Sequence, residues 1–431
     1  MKLPKFIENN NVLKITSVNA VVTGIRLVIS FFVQKQLALI LGNAGYALVG
    51  DIRNLIPMLT SSSTLGVFNG AVKYVSEFKD NKPELVKIFS SVTLFFILGS
   101  IVSASVLFFM SDSLSVSVFG DITYASVLKF LALMVPFIGL SRLFSSIING
   151  LSDYKNYARV ELIAYVLSAI ALLIGLYAYN LKGVLFAIAL APFIQVLVIV
   201  VVYGKVLVTY IQPKKLAFNL SYKQQLLAFT LMSFVSTFLI NFIEIDLRGH
   251  IENRVSKADA GNWTAVSFIS KNYMVFASGL FTLYILPKFA GINDKITFQK
   301  ELFHIYKTIL PIFGLGMLLV YFLRYFIIQQ IYPDFNGMAP LFKWQLLGDF
   351  VRLCAWVLSY QFLAKKLVKS FIATELLSII LFYGFAIVLI SYFKTEGIVM
   401  AHFVRYVIYA IVVTLFVWRY FKYTLPKQNN T

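Results

Sequence analysis

Apolar stretches of about twenty residues recur from one end of this chain to the other, separated by short polar or glycine-containing breaks. A helix rises about 1.5 Å per residue, so roughly 20 apolar residues cross the ~30 Å hydrocarbon layer of a bilayer. The stretches are too long for the tilted strands of a membrane barrel and lack period-two alternation. The pattern predicts an all-α polytopic membrane protein with twelve transmembrane helices. These are expected at about 17–41, 45–75, 86–110, 122–149, 156–179, 183–204, 224–248, 259–287, 302–331, 338–364, 370–392 and 397–420.

The breaks between stretches carry the orientation. Alternate loops collect cations: Lys2, Lys5 and Lys14; Lys79, Lys82 and Lys87; Lys155 and Arg159; Lys205, Lys214, Lys215 and Lys223. The series continues through Lys288, Lys295 and Lys300, then Lys365, Lys366 and Lys369, then Arg419, Lys422 and Lys427. The opposite loops are sparse, with only Asp112 and Asp121 over residues 111–121. Lys and Arg accumulate on the cytoplasmic side, so both termini are expected in the cytoplasm. The longest polar connection, with Pro213, divides the chain into an N-terminal six-helix bundle (1–206), a cytoplasmic linker (207–223) and a C-terminal six-helix bundle (224–431). The halves share a faint echo: Ala44-Gly45 then Arg53-Asn54, against Ala260-Gly261 then Lys271-Asn272. Parallel repeats of this kind are common in secondary transporters.

Composition agrees with this reading. Of 431 residues 59% are hydrophobic and 13% charged, well below the quarter or so usual in soluble chains. The net charge of +19 would suggest nucleic acid in a soluble protein. Here cytoplasmic loops account for most of it, and no nucleic-acid partner is expected. The single cysteine, Cys354, excludes an intramolecular disulfide and reads as a packing residue. The N-terminal segment has no small-residue cleavage site after a short apolar core, so no removable signal peptide is expected.

The cations that the loops do not explain lie inside the spans: Arg26, Arg53, Lys129, Lys271, Arg352 and Arg405, with Asp51, Glu161, Asp349 and Glu375 as acids. A charge facing lipid at mid-bilayer costs about 2.5–3.5 kcal/mol on insertion scales, so ten would cost roughly 25–35 kcal/mol. They must face water or one another. Asp349 and Arg352 are three apart on one helix face, and Glu375 and Arg405 can pair between the last two spans. Arg26, Arg53 and Lys271 have no carboxylate at a pairing offset and are read as lining a wet cavity with surplus positive charge. Such a cavity suits an anionic ligand, and guanidinium groups suit phosphate oxygens. Lys35, Arg142, Lys307 and Arg324, nearer the helix ends, read as snorkelling residues. Pro57 predicts a kink beside Arg53, and Gly66 with Gly70 forms a small-residue step. His250, His304 and His402 stand isolated along the chain, so no metal site or catalytic arrangement is expected, nor any cofactor. No phosphate-binding GxxxxGK[ST] loop exists, which argues against ATP hydrolysis by this chain.

Several segments resemble a known family. GDIRNL (50–55) and GVFNGAVKYVSEF (66–78) are similar to the second span of Wzx-type O-antigen translocases and lipid III flippases. LYILPKF (283–289) resembles their eighth span, and FKWQLLGDFVRLCAW (342–356) with LAKKLVKSFIATELLS (363–378) their tenth and eleventh. The likeness covers essentially the whole chain. Such proteins belong to the multidrug/oligosaccharidyl-lipid/polysaccharide (MOP) exporter superfamily, MATE-like in fold, with two six-helix bundles around a central cavity.

The resemblance implies a flippase of the inner membrane rather than an enzyme. Its substrate would be an undecaprenyl-pyrophosphate-linked oligosaccharide of O-antigen or enterobacterial common antigen type, and a polysaccharide polymerase and chain-length regulator would be partners. It places basic residues at Arg26, Lys35, Arg53 and Lys73 and an acid at Asp349. The expected anion site is therefore Arg26, Arg53, Lys73, Lys271, Lys129, Arg352 and Arg405, with Asp51, Glu161, Asp349 and Glu375 as candidates for ion coupling. Two rival readings stay open. A multidrug extruder of the same superfamily would want a net acidic cavity for cationic drugs. A membrane-embedded glycan polymerase or ligase would want a substantial outward loop, and the outward connections here are short.

Overall fold

The computed structural model describes residues 11–151, 153–211 and 221–424. Every regular element among them is helical. The principal ones, in order, are α1 (Asn11–Ser63), α2 (Phe68–Phe78), α3 (Lys82–Phe109), α4 (Ser111–Phe119), α5 (Ala125–Gly150) and α6 (Tyr154–Ile211). Then follow α7 (Lys223–Arg254), α8 (Lys257–Leu280), α9 (Lys295–Phe322), α10 (Arg324–Ile331), α11 (Leu341–Ala364), α12 (Val368–Phe393) and α13 (Thr395–Arg419). Of the linker expected at 207–223, residues 212–220, with Pro213, Lys214 and Lys215, lie outside the described residues, as do Lys2, Lys5 and Lys427.

Nine helices among the described residues are long and apolar enough to cross a membrane. The protein is a multi-pass membrane protein. Two of the nine are each two arms joined at a break. In α1 the break is Gly42 at φ 62°, which glycine adopts without steric cost. In α6 it is Tyr179-Asn180, with Asn180 at φ 49°, a conformation asparagine tolerates better than most residues. Glycines on the two arms of α6 meet there: a Cβ on Gly175 would lie 2.5 Å from the Gly183 carbonyl oxygen. α8 overlaps the eighth expected span, but it carries Asn262, Ser270, Lys271 and Asn272 and is not among the nine.

Polar residues mark the starts. Asn81 accepts the Glu84 amide ahead of α3, Ser256 the Asp259 amide ahead of α8, and Asp294 the Thr297 amide ahead of α9. Each satisfies one of the unpaired N–H groups at a helix start. Pro57, expected to mark a kink, sits within helical backbone that continues to Ser63. The departure comes at Leu65 and Gly66, both at positive φ, and Gly66 and Gly70 pack on Ser233, Phe229 and Leu226 of α7.

The chain forms two compact units. The first comprises Met1–Leu41 and Leu48–Ile245, the second Gly42–Ala47 and Asp246–Thr431. The first has an apolar core of Ile52 and Leu55 from α1, Leu107 from α3, Leu128 and Leu131 from α5 and Leu185 from α6. In the second, α13 packs along both α11 and α12, and α8, α9 and α12 flank α11.

Candidate functional site

In the first unit, the charged residues of α1 find partners on helices distant in sequence. The Arg26 guanidinium lies 3.1 Å from Glu161 of α6 and 4.9 Å from the Tyr165 ring centroid. The other Glu161 oxygen accepts Gln195 Nε2 at 2.9 Å. Arg26, expected to line a cavity without a carboxylate, is therefore ion-paired. Its partner lies 135 residues away, beyond any offset rule within one helix. Arg53, half-buried, donates to the Gln34 amide oxygen at 3.0 Å, and Asn54 donates to Glu244 of α7 at 3.0 Å. Asp51 is buried.

Two of the expected site cations stand apart from this group. Lys129 is one turn into α5 and lies 3.3 Å from Asp112 of α4, both largely exposed. It is exposed and nearer the start of the Ile122–Gly150 span than the mid-span place expected. Lys73 is exposed on α2, its ammonium 4.7 Å from the Tyr74 ring centroid.

The second unit holds a buried polar cluster built from α8, α11, α12 and α13. At its centre is Asp349, with no exposed surface. Its Oδ2 accepts Ser270 Oγ at 2.5 Å, Tyr273 OH, and Gln345 Nε2 at 3.2 Å. Its Oδ1 lies 2.9 Å from His402 Nε2. Three helices thus converge on one carboxylate.

The cluster continues along α11 and α13. Arg352 lies over the Trp356 ring at 4.2 Å, and Arg405 over Phe382 at 4.2 Å and Tyr406 at 4.3 Å. Arg405 also donates to Tyr406 OH at 2.7 Å, and Tyr409 OH donates to Glu375 at 2.7 Å. The pairing of Arg405 with Glu375, open at the level of sequence, is not direct: the carboxylate is held by Tyr409, and the arginine by aromatic faces. Both arginines still act electrostatically on Glu375. Lys271 is exposed on α8.

His402 is the residue that sequence reasoning missed. It looked isolated because its partner is 53 residues away. The signal was in the spacing. His402, Arg405, Tyr406 and Tyr409 share one face of α13, and Gln345, Asp349, Arg352 and Trp356 one face of α11. Gly348 makes room for the imidazole: an added Cβ would stand 2.4 Å from His402 Cδ2. Gly348→Ala is expected to push His402 off Asp349 and to cost about 1–3 kcal/mol of stability, as overpacking does. Thermal unfolding in detergent reads it, and a variant as stable as the parent would mean that the ring has room to shift.

Comparison with known proteins places these features in context. The family described as Polysaccharide biosynthesis protein matches residues 11–293. The chain is 26% identical over 391 residues to the lipid III flippase of Escherichia coli (strain K12), covering 90% of this chain and 93% of that protein. Among solved structures, an inward-facing multidrug resistance MATE family transporter of the MOP superfamily superposes with a TM-score of 0.77 at 13% identity, over 95% of this chain and 98% of that one. The lipid II flippase MurJ in an inward closed conformation gives 0.67 at 18%, over 93% and 87%. At these identities the structural likenesses establish a shared MATE-like fold.

Proposed function

The chain belongs to the polysaccharide biosynthesis protein family, as a MOP-type transporter rather than an enzyme, and from that premise we propose that it flips a lipid-linked oligosaccharide across a bacterial inner membrane. The substrate is an undecaprenyl-pyrophosphate-linked unit of the O-antigen or enterobacterial common antigen type. It moves from the cytoplasmic to the periplasmic leaflet by alternating access, through a chain of twelve crossings with both termini in the cytoplasm. A polysaccharide polymerase and a chain-length regulator are the partners this reading implies. The observation that carries it is full-length likeness to a lipid III flippase, with 90% of the chain aligned.

The residue chemistry supports the same reading. A pyrophosphate needs cations in a wet site inside an otherwise apolar protein, and planar guanidinium groups match its oxygens. Arg53 is the first candidate in the first unit: it is half-buried, and the Gln34 amide oxygen helps to orient its guanidinium. Arg26 is the second, with Glu161 setting its orientation. In the second unit the exposed Lys271 is the further candidate. Lacking a GxxxxGK[ST] loop, the chain must draw its energy from an ion gradient, the substrate's own gradient or a partner, and the reading taken here is ion coupling, for which Asp51, Glu161, Asp349 and Glu375 are the sequence candidates.

Purified protein in proteoliposomes tests the proposal. An undecaprenyl-pyrophosphate-linked glycan is placed in one leaflet and its arrival in the other is followed with an impermeant probe. Transfer well above protein-free vesicles is expected, with no efflux of cationic drugs. Drug efflux without glycan transfer would overturn the reading in favour of a multidrug extruder.

A further inference from the structure

The buried cluster of the second unit has a charge pattern that singles out one residue. Two carboxylates, Asp349 and Glu375, stand with two guanidinium groups, Arg352 and Arg405. With both carboxylates ionised, those four close to zero. Arginine keeps its charge at any physiological pH, and an aspartate taking three donors on one oxygen is held as the anion. The group of the cluster whose ordinary range is physiological is His402, buried and 2.9 Å from Asp349. We propose that His402 is the proton-carrying residue of this transporter, with Asp349 as its fixed counter-charge; this rests on the ion-coupled transport reading above.

The hydrogen bonds define where the proton goes. Asp349 Oδ1 can only accept, so His402 Nε2 carries a hydrogen and donates it. The Gln345 amide nitrogen, 3.3 Å from the same ring nitrogen, is also a donor and gives its hydrogens to Ser270 Oγ and Asp349 Oδ2, each at 3.2 Å. The neutral imidazole therefore has its lone pair on Nδ1. Uptake of one proton from water forms an N–H bond there and leaves Nε2–H in place. The cluster then passes from net zero to +1.

The groups facing the pair set how readily this happens. From α8 come Ser270 and Tyr273, both donating to Asp349. From α11 come Gln345 and Arg352, and from α12 Glu375 and the ring of Phe382. From α13 itself come Arg405, Tyr406 and Tyr409. Burial opposes the imidazolium, Asp349 favours it, and Arg405 and Arg352 oppose it. An imidazole tied to the carboxylate alone would stay charged, and one facing the arginines alone would stay neutral. His250, 3.4 Å from Asp246 and partly exposed, and His304, exposed on α9, have no such surroundings.

The test uses the full-length protein in proteoliposomes with a gradient of one pH unit. If one proton is carried per lipid, wild-type protein shifts the steady-state leaflet ratio of the glycan lipid about tenfold. His402→Gln, which keeps a donor toward Asp349 and cannot take a proton, is expected to equilibrate the lipid and lose that shift entirely. A variant that keeps the tenfold shift would overturn the assignment and leave the flippase reading intact, as would wild-type flipping indifferent to the gradient. No flipping by the wild type under any gradient would overturn the transport reading itself and this proposal with it. Should His402→Gln fail to fold, nitrogen-15 histidine spectra of the His250→Gln, His304→Gln background decide the matter. A signal that titrates between about pH 5 and 8 supports the proposal, and one that does not move overturns it.

Discussion

Asp349→Ala is expected to abolish complementation of a flippase-deficient strain and to lower the thermal unfolding temperature of the purified protein by many degrees. The carboxylate has no exposed surface and accepts from Ser270, Tyr273 and Gln345 while facing His402. Truncation leaves those donors buried without their acceptor, and each such group costs about 1–3 kcal/mol. It also leaves Arg352 and Arg405 with Glu375 as the only carboxylate of the cluster, and breaking a buried ion arrangement from one side typically costs about 3–5 kcal/mol. Asp349→Asn separates shape from charge. It keeps the outline and one accepting oxygen, so it should recover much of the stability while transport stays lost. Wild-type unfolding temperature and full complementation by Asp349→Ala would show that the cluster is neither structural nor functional.

Arg53→Ala should likewise abolish complementation, with normal membrane insertion. It removes a guanidinium from the candidate anion site and one bond from the neutral Gln34 amide. Arg53→Lys keeps the charge but loses the planar fork, and is expected to retain only a minor part of the activity. Arg26 behaves otherwise, because Arg26→Ala leaves Glu161 without its cation. Only the double variant Arg26→Ala, Glu161→Gln reads the contribution of Arg26 to binding. Full complementation by a normally expressed Arg53→Ala would remove Arg53 from the anion site.

The residues differ in how far they could be read in advance. The helices were legible because a membrane imposes one rule on every residue that crosses it: backbone groups are satisfied within the helix and side chains are apolar. The breaks at Gly42 and Asn180 fall where the expected spans ended, since glycine and asparagine tolerate the backbone that a reversal requires. The ten intramembrane charges were legible for the same reason, each being an exception to the rule. Their partners were not. Offset arithmetic on one helix could offer Asp349 to Arg352, but Asp349 instead takes its bonds from α8 and α13 as well as α11. Arg26 looked unpaired until α6 brought Glu161 to it. Lys129, read as well inside its span, is exposed beside Asp112 of α4.

Sequence alone determined that this is a helical, multi-pass protein with charges where lipid would reject them, because burial of apolar length and the cost of a bare charge are local quantities, additive along the chain. Tertiary structure alone decided which charge meets which. Hydrogen bonds of about 3 Å depend on the packing of helices tens or hundreds of residues apart, and no local pattern encodes that. His402 carries the lesson: an unremarkable histidine in the sequence becomes, 2.9 Å from a fully buried aspartate, the group on which the charge of a whole cluster turns.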